Sequence, residues 1–192
     1  MYFAENPDAS HDIHELRVEL LGEKMTFLTD AGVFSKKMID YGSRVLLSTL
    51  DFGKGETLLD VGCGYGTLGL TLAKAQTLKV TLVDINQRAL DLTRKNAAVN
   101  QVSAEIFQSN VYENVTGKFQ HIISNPPIRA GKKVVHEVIS GSYNHLLDDG
   151  DLTIVIQKKQ GAPSAKAKME EVFGNCETLK KDKGYYILRS VK

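Results

Sequence analysis

The sequence predicts an α/β fold, a Rossmann-like doubly wound sheet of seven mostly parallel strands with helices on both faces. Three observations carry this. Short apolar runs alternate with helical patterns from residue 57 onward, as in successive βαβ units. The stretch Leu58-Leu-Asp-Val-Gly-Cys-Gly-Tyr-Gly-Thr-Leu-Gly-Leu70 passes from an apolar strand into a helix and packs four glycines between them. Glycines at the carboxyl end of a buried strand let a ligand come close to the backbone. A second apolar run, Lys79-Val-Thr-Leu-Val-Asp84, ends on an acid placed to accept hydrogen bonds from ribose hydroxyls.

Ahead of this unit, Glu15-Leu-Arg-Val-Glu-Leu20 alternates charged and apolar residues, and Met25-Thr-Phe-Leu-Thr29 returns after the turn Leu21-Gly-Glu-Lys24. Residues 1–30 are therefore read as an amino-terminal β-hairpin extension and residues 31–192 as the main domain. Met38, Val45, Leu46 and Leu47 suit a helix over 36–50 capped by Ser35, which Asp40-Tyr-Gly-Ser43 interrupts. Strands follow at 57–61, 79–84, 104–108, 119–125, 152–157, 177–180 and 185–190, with helices at 67–75, 86–100, 134–147 and 164–173. Only Lys181-Asp-Lys-Gly184 separates the last two strands, so they form an antiparallel hairpin.

Hydrophobic residues make up 42% of the chain and charged ones 24%, a balance that supports a buried core and argues against disorder. A formal net charge of +1 supplies no bulk attraction for nucleic acid, so such a partner has to be met by local patches. Two cysteines, Cys63 and Cys176, are too few for a zinc site or a disulfide framework, and no metal is expected. Cys63 reads as a small residue in a tight turn. His121, inside an apolar strand, reads as a satisfied core residue. No apolar run approaches a membrane span and no signal-like core opens the chain, so the cytoplasm is expected.

Two ligands compete for the glycine turn. Gly64-Tyr-Gly66-Thr-Leu-Gly69 satisfies the dinucleotide fingerprint, with Asp84 where a ribose acid belongs. Asp60-Val-Gly62-Cys-Gly64-Tyr-Gly66 supports another ligand, because an acid ahead of the turn repels a pyrophosphate and suits a cation with an α-amino group. S-adenosylmethionine (SAM) is such a ligand. The second chemical signal is Asn125-Pro-Pro-Ile128, directly after the strand at 119–125. Its prolines stiffen the backbone and remove two donors, leaving carbonyls that face outward. Asn125 adds a side-chain carbonyl, and two rigid acceptors can hold an exocyclic amine by its two hydrogens. Both signals fall at the carboxyl ends of strands, where open α/β sheets bind their ligands.

The D-x-G-x-G-x-G form of residues 60–66 resembles motif I of the class I SAM-dependent methyltransferases. Asn125-Pro-Pro resembles motif IV of those that act on amine or amide nitrogens. Together with Gly32-Val-Phe-Ser-Lys36, Asp40-x-Gly-Ser43, Val83-Asp-Ile-Asn86 and Ser124-Asn-Pro-Pro-Ile-Arg-Ala-Gly-Lys132, the chain is similar to the small-subunit ribosomal RNA guanine-N2 methyltransferases of the RsmC type, in a short single-domain form.

The resemblance implies a role for each matching position. Asp60, Gly62, Gly64 and Gly66 line the methionine half of SAM, Asp84 takes the ribose hydroxyls, Ile85 packs on the adenine and Asn110 sits near the adenine amine. Phe34 and Ser35 close the cofactor from the amino-terminal side. Asn125 and the Pro126 carbonyl, in a turn completed by Pro127, hold the target amine in line with the sulfonium methyl, so that Asn125 borders cofactor and acceptor alike. Asn110 stands where many relatives have Asp, and Ile128 where many have an aromatic, which reduces stacking on the target base to aliphatic contact. Arg129, Lys132, Lys158 and Lys159 are assigned to RNA phosphates, while Lys180, Lys181 and Lys183 read as solvated surface. The implied reaction is methyl transfer from SAM to the N2 amine of a guanine in ribosomal RNA or the small ribosomal subunit, by a monomer, with S-adenosylhomocysteine as product. The same fold would serve a protein glutamine-amide or adenine-N6 methyltransferase, or a SAM- or RNA-binding module without catalysis. A dehydrogenase would explain Gly64–Gly69 but not Asn125-Pro-Pro.

Overall fold

In the computed structural model, which describes residues 12–31, 38–127 and 131–192, the chain folds in the order β1 (His14–Leu20), β2 (Glu23–Thr29), α1 (Tyr41–Leu47), β3 (Thr57–Val61), α2 (Thr67–Gln76), β4 (Lys79–Asp84), α3 (Gln87–Val99), β5 (Ala104–Gln108), β6 (Phe119–Ser124), α4 (Lys132–Ser142), β7 (Leu146–Gln157), α5 (Ala162–Phe173), β8 (Glu177–Asp182) and β9 (Tyr185–Val191). Strands β3 to β9 make one seven-stranded sheet in the order β5-β4-β3-β6-β7-β9-β8. It is parallel from β5 to β7 and antiparallel at β9 and β8. Strand order reverses between β3 and β6, and the crevice at their carboxyl ends is where such sheets take ligands.

The central strands β3 and β4 are largely buried because both faces are covered. Leu58 and Leu59, neighbours on β3, are both fully buried but point into different clusters. Leu58 joins Leu46 of α1, Leu70 of α2 and Leu90 of α3. Leu59 joins Val138 of α4 and Met169 of α5.

The amino-terminal hairpin belongs to the first of these clusters through Met25 and Phe27, both fully buried. The edge of its inner strand β2 that does not pair with β1 would leave backbone groups unpaired, a costly state beside a core. Two asparagines one helical turn apart, Asn96 on α3 and Asn100 at its carboxyl cap, satisfy them. Asn96 accepts from Leu28 N at 2.7 Å and donates to Leu28 O at 3.0 Å. Asn100 accepts from Thr26 N at 2.9 Å and donates to Thr26 O at 2.7 Å.

Two sequence readings are corrected. Among the described residues the helix over 36–50 covers Tyr41–Leu47, because Asp40 has extended backbone and its carboxylate accepts from Ser43 N at 3.0 Å, capping the first turn. The proposed cap Ser35 lies outside the described residues. The helix at 134–147 instead covers Lys132–Ser142, and β7 starts at Leu146. There Leu146 pairs with Phe119 of β6, which draws residues that look helical into the sheet, and further on Lys192 N donates to Gly150 O at 2.9 Å and Asp149 N to Lys192 O at 3.1 Å.

At the opposite end of the sheet His121 is satisfied on both sides, by Asp151 at Nδ1 (3.1 Å) and Glu56 at Nε2 (2.8 Å), with Phe52 stacked on its ring at 3.9 Å. Burial disfavours the imidazolium, but the two carboxylates outweigh it and hold the His121 pKa above its ordinary 6.5. A raised pKa means that the folded state binds this proton more tightly. The stabilisation is therefore complete below about pH 6.5 and disappears as pH rises through the folded value. Urea denaturation of the wild type and His121→Gln should show a stability gap that narrows between pH 6 and pH 9. A pH-independent gap would remove the charged pair from the account.

Candidate active site

The glycine turn and the Asn-Pro-Pro turn leave neighbouring strands at matching heights. Asp60 of β3 lies beside Ile123 of β6, and Ser124 Oγ donates to Val61 O at 2.7 Å, binding the two strand ends together. Gly62, with φ of +73°, follows directly, and a Cβ there would lie 4.0 Å from Pro127 Cδ. The two chemical motifs thus face each other across the switch-point crevice.

The turn is rigid. Gly62 N and Cys63 N both donate to Val83 O, at 2.9 and 3.0 Å, and Gly66 N donates to Cys63 O at 3.0 Å. Gly64 N donates to Asp84 Oδ2 at 2.8 Å, and Gly69 N to Asp60 Oδ2 at 2.9 Å. From behind, Thr93 Oγ1 donates to Gly64 O at 2.8 Å and Asn96 Nδ2 to Tyr65 O at 2.8 Å. Gly66 has φ of +97°, and a Cβ there would meet Leu70 at 2.7 Å and Thr93 at 3.1 Å, so only glycine fits.

This bonding separates the two cofactor readings. A pyrophosphate is held by free N–H groups at the turn and the helix start. Here the N–H groups of Gly62, Cys63, Gly64, Gly66 and Gly69 are already engaged, and the start of α2 faces a carboxylate. The arrangement rejects a second anion and suits a cation.

Asp60 is fully buried. One oxygen caps α2 through Gly69 N, while Oδ1 is buried with no hydrogen-bond partner among the described residues. Burial, reinforced by the charge of Asp84 and only partly offset by Gly69 N–H, raises its pKa to about 7. Asp84 ends β4 half-buried, with Oδ1 accepting from Asn86 N at 2.9 Å, and burial raises its pKa to about 6. An orphaned, desolvated carboxylate oxygen is what a positively charged ligand group would relieve. Burial also pushes the Cys63 thiol well up, which makes it a packing residue and no nucleophile.

Ile85 is half-buried beside Asp84, and its carbonyl accepts from Gln108 Nε2 at 2.9 Å. Asn110 is exposed just past the end of β5, where Ser109 N donates to Asp84 O at 3.0 Å, so the structure brings Asp84, Ile85 and Asn110 to one rim. Asn125 and Pro127 are half-buried and Pro126 is buried. Lys132 is exposed at the first position of α4, and Lys158 and Lys159 are exposed after β7. Phe34, Ser35, Ile128 and Arg129 lie outside the described residues.

Two residues of the site were not assigned from the sequence. Asn125 Nδ2 donates to Asp40 Oδ2 at 2.8 Å and to Ser43 Oγ at 3.0 Å, so the start of α1 is part of the site. Their signal was present in the interrupting Asp40-Tyr-Gly-Ser43, which marks a helix start inside a longer apolar pattern. Among the described residues no group of His, Cys, Asp and Glu could hold a metal ion, and no helix is long and apolar enough to cross a membrane.

A seven-stranded sheet of this order, with a ribose-type acid, a cation-suited glycine turn and an Asn-Pro-Pro turn at its switch point, defines a class I methyltransferase fold. Residues 24–189 match the Methyltransferase small domain family, and the chain belongs to that family. The uncharacterized protein YbxB of Bacillus subtilis is 44% identical over all of this chain and 98% of its own length. Ribosomal RNA small subunit methyltransferase C of Erwinia tasmaniensis is 37% identical over 90% of this chain but 51% of its own, so the chain spans about half the length of that relative. Among solved structures, the T. thermophilus 16S rRNA N2 methyltransferase RsmC in complex with AdoMet and guanosine superposes with a TM-score of 0.87 at 28% identity, covering 97% of this chain and 52% of that one. A methyltransferase from Pyrococcus furiosus, 22% identical with a TM-score of 0.73 over 84% of this chain and 90% of its own, shares the fold.

Proposed function

We propose that this chain is a SAM-dependent N-methyltransferase whose acceptor is the exocyclic N2 amine of a guanine in small-subunit ribosomal RNA. The observation that carries the reading is the meeting of the cation-suited glycine turn with a rigid Asn125-Pro126 acceptor pair across one crevice. The likeness to the Erwinia tasmaniensis and T. thermophilus proteins supports guanine in ribosomal RNA over the glutamine and adenine alternatives.

Bound SAM would supply an electrophilic methyl group on a sulfonium. Asp60 Oδ1 is placed to meet positive charge of its methionine half, and Gly62, Gly64 and Gly66 keep the turn low enough for close approach. Asp84 retains acceptor capacity for the ribose, with Ile85 and Asn110 at the adenine side. Phe34 and Ser35 belong to this proposal on the resemblance alone. The Asn125 and Pro126 carbonyls orient the acceptor amine by its hydrogens. As the nitrogen gains positive charge during attack, both acceptors strengthen their hold, which is stabilisation specific to the transition state. A base stacked in a helix is out of reach, so the nucleotide is unpaired or flipped.

The RNA backbone would follow the carboxyl rim from Lys132 to Lys158 and Lys159, and Ile128 and Arg129 belong to this proposal on the sequence alone. The fold adds to that rim. Lys158 N donates to Gly184 O at 2.8 Å, which brings the β8–β9 turn and exposed Lys183 alongside. The Lys183 ammonium lies 4.9 Å from the ring centre of Tyr41, and Tyr41 packs on Tyr185 at 5.7 Å. Lysines interleaved with half-exposed aromatics suit a single-stranded segment.

The test offers methyl-labelled SAM with naked small-subunit RNA, assembled small subunits and a protein extract in separate reactions. Label in N2-methylguanosine is expected. Label in N6-methyladenosine or methylglutamine would overturn the acceptor and keep the chemistry, and SAM binding without transfer to any acceptor would overturn the enzyme.

A further inference from the structure

Asn125 is an amide in a place where a carboxylate would also supply acceptor oxygens, and its surroundings explain the choice. Asp40 Oδ2 accepts from Asn125 Nδ2 at 2.8 Å, from Ser43 N at 3.0 Å and from Ser43 Oγ at 3.4 Å. Ser43 Oγ in turn accepts from Asn125 Nδ2 at 3.0 Å. The donors and acceptors close without conflict: one amide hydrogen goes to the carboxylate, the other to the serine oxygen, and the serine hydrogen returns to the carboxylate. An ionised carboxylate only accepts, so the amide nitrogen must face α1 and its oxygen must face away from it.

We propose that Asp40, assisted by Ser43, is the positioning residue of this site, presenting the Asn125 carbonyl oxygen to the acceptor amine and requiring residue 125 to be an amide. The proposal rests on the N-methyltransferase reading above. A donor shared with a carboxylate makes a charge-assisted hydrogen bond, and the polarised amide is a stronger acceptor at its oxygen. Asp40 thereby acts on the reaction without touching the acceptor.

The geometry separates this role from simple helix capping. Asn125→Asp would set two carboxylates against each other across the 2.8 Å contact. The double variant Asp40→Asn/Asn125→Asp restores a donor facing an acceptor with the polarity reversed, because the introduced amide donates and the introduced carboxylate still offers an oxygen to the amine. The nitrogen that donates to residue 125 can no longer accept from Ser43 N, so this variant gives up the α1 cap. Asp40→Asn alone keeps an acceptor for Asn125 and an N-cap for α1, so its Tm should hold, while loss of the charge-assisted bond should lower kcat by about threefold to tenfold.

The experiment measures kcat, KM for SAM, SAM affinity and Tm for the wild type, Asp40→Asn, Asn125→Asp and the double variant. Asn125→Asp is expected to lower kcat by about 100-fold with SAM affinity unchanged, as for loss of a transition-state hydrogen-bonding group, and to lower Tm by about 4 °C or more. The double variant should regain at least about tenfold in kcat over Asn125→Asp, one factor of ten being the scale of a single hydrogen bond, while the lost cap on Ser43 N keeps its Tm below that of the wild type. A capping residue alone predicts no recovery of kcat, so a double variant no faster than Asn125→Asp overturns the proposal. If the wild type transfers methyl to no acceptor, the functional reading fails. The Tm of Asn125→Asp then still judges the contact, and a value within about 1 °C of the wild type would dismiss the pairing of residues 40 and 125 as well.

Discussion

Asn125→Ala should cut methyl transfer strongly while leaving the cofactor side almost intact. The substitution removes the side-chain oxygen that faces the acceptor but leaves Gly62 to Gly66, Asp60 and Asp84 in their own hydrogen-bonded frame. Removing one preorganised group that acts on developing charge costs on the order of 100-fold to 1,000-fold in kcat. SAM affinity, read by calorimetry, should change by less than about threefold, because binding shared equally by ground and transition states is not what the amide supplies. The neighbouring Pro126 carbonyl would keep a residual rate above background. A kcat within about fivefold of the wild type would show that the amine is held elsewhere.

SAM should bind more weakly as pH falls through 7 to 6. Burial raises Asp60 to about 7 and Asp84 to about 6, so in the free protein both carry protons over part of the physiological range. A cationic ligand binds the ionised forms, and each proton that must leave on binding costs up to tenfold in affinity per pH unit below the relevant pKa. The stability of the free protein runs the other way. A folded carboxyl pKa above the ordinary 3.8 means a penalty that is absent below that value, grows as pH rises and is complete above about 7. Asp60→Asn keeps an acceptor for Gly69 N but removes the charge, so it should weaken SAM binding by about 10-fold or more at pH 8, on the scale of a hydrogen bond to a charged group, and flatten the pH profile. An unchanged profile in Asp60→Asn would transfer the titration to another group. Isothermal titration from pH 5.5 to 8.5 decides.

Much of this fold could be read along the chain, for reasons that differ between elements. Strands β3 and β4 match their sequence boundaries because a strand buried on both faces is a largely apolar run that ends where polar residues or glycines begin. The glycine turn was legible as a ligand site, and the acid before it pointed to a cation. The start of α1 was misplaced because apolar spacing extends beyond the true cap, and only the Asp40 carboxylate on Ser43 N marks the first turn. The start of β7 was missed because Leu146 pairs with Phe119 of β6, a partner distant in the chain. The buried asparagines of α3 look like ordinary helix-surface residues until β2 is laid against them.

What the sequence determined by itself is the set of local chemistries: alternating elements that make a parallel sheet, an acid and three alternating glycines suited to a cationic nucleoside, and two prolines that stiffen an acceptor turn after Asn125. These follow from backbone freedom, side-chain charge and hydrophobic period, all of which act within a few residues. Tertiary structure alone decided how the chemistries meet. It placed Gly62 against Pro127, engaged the donors of the glycine turn so that an anion is refused, and carried Asp40 to Asn125 across 85 positions of chain. A hydrogen bond over that separation leaves no periodic trace in the sequence. Its partners are brought together by the burial of α1 and β6 in a common core, and neither residue carries a local pattern that names the other.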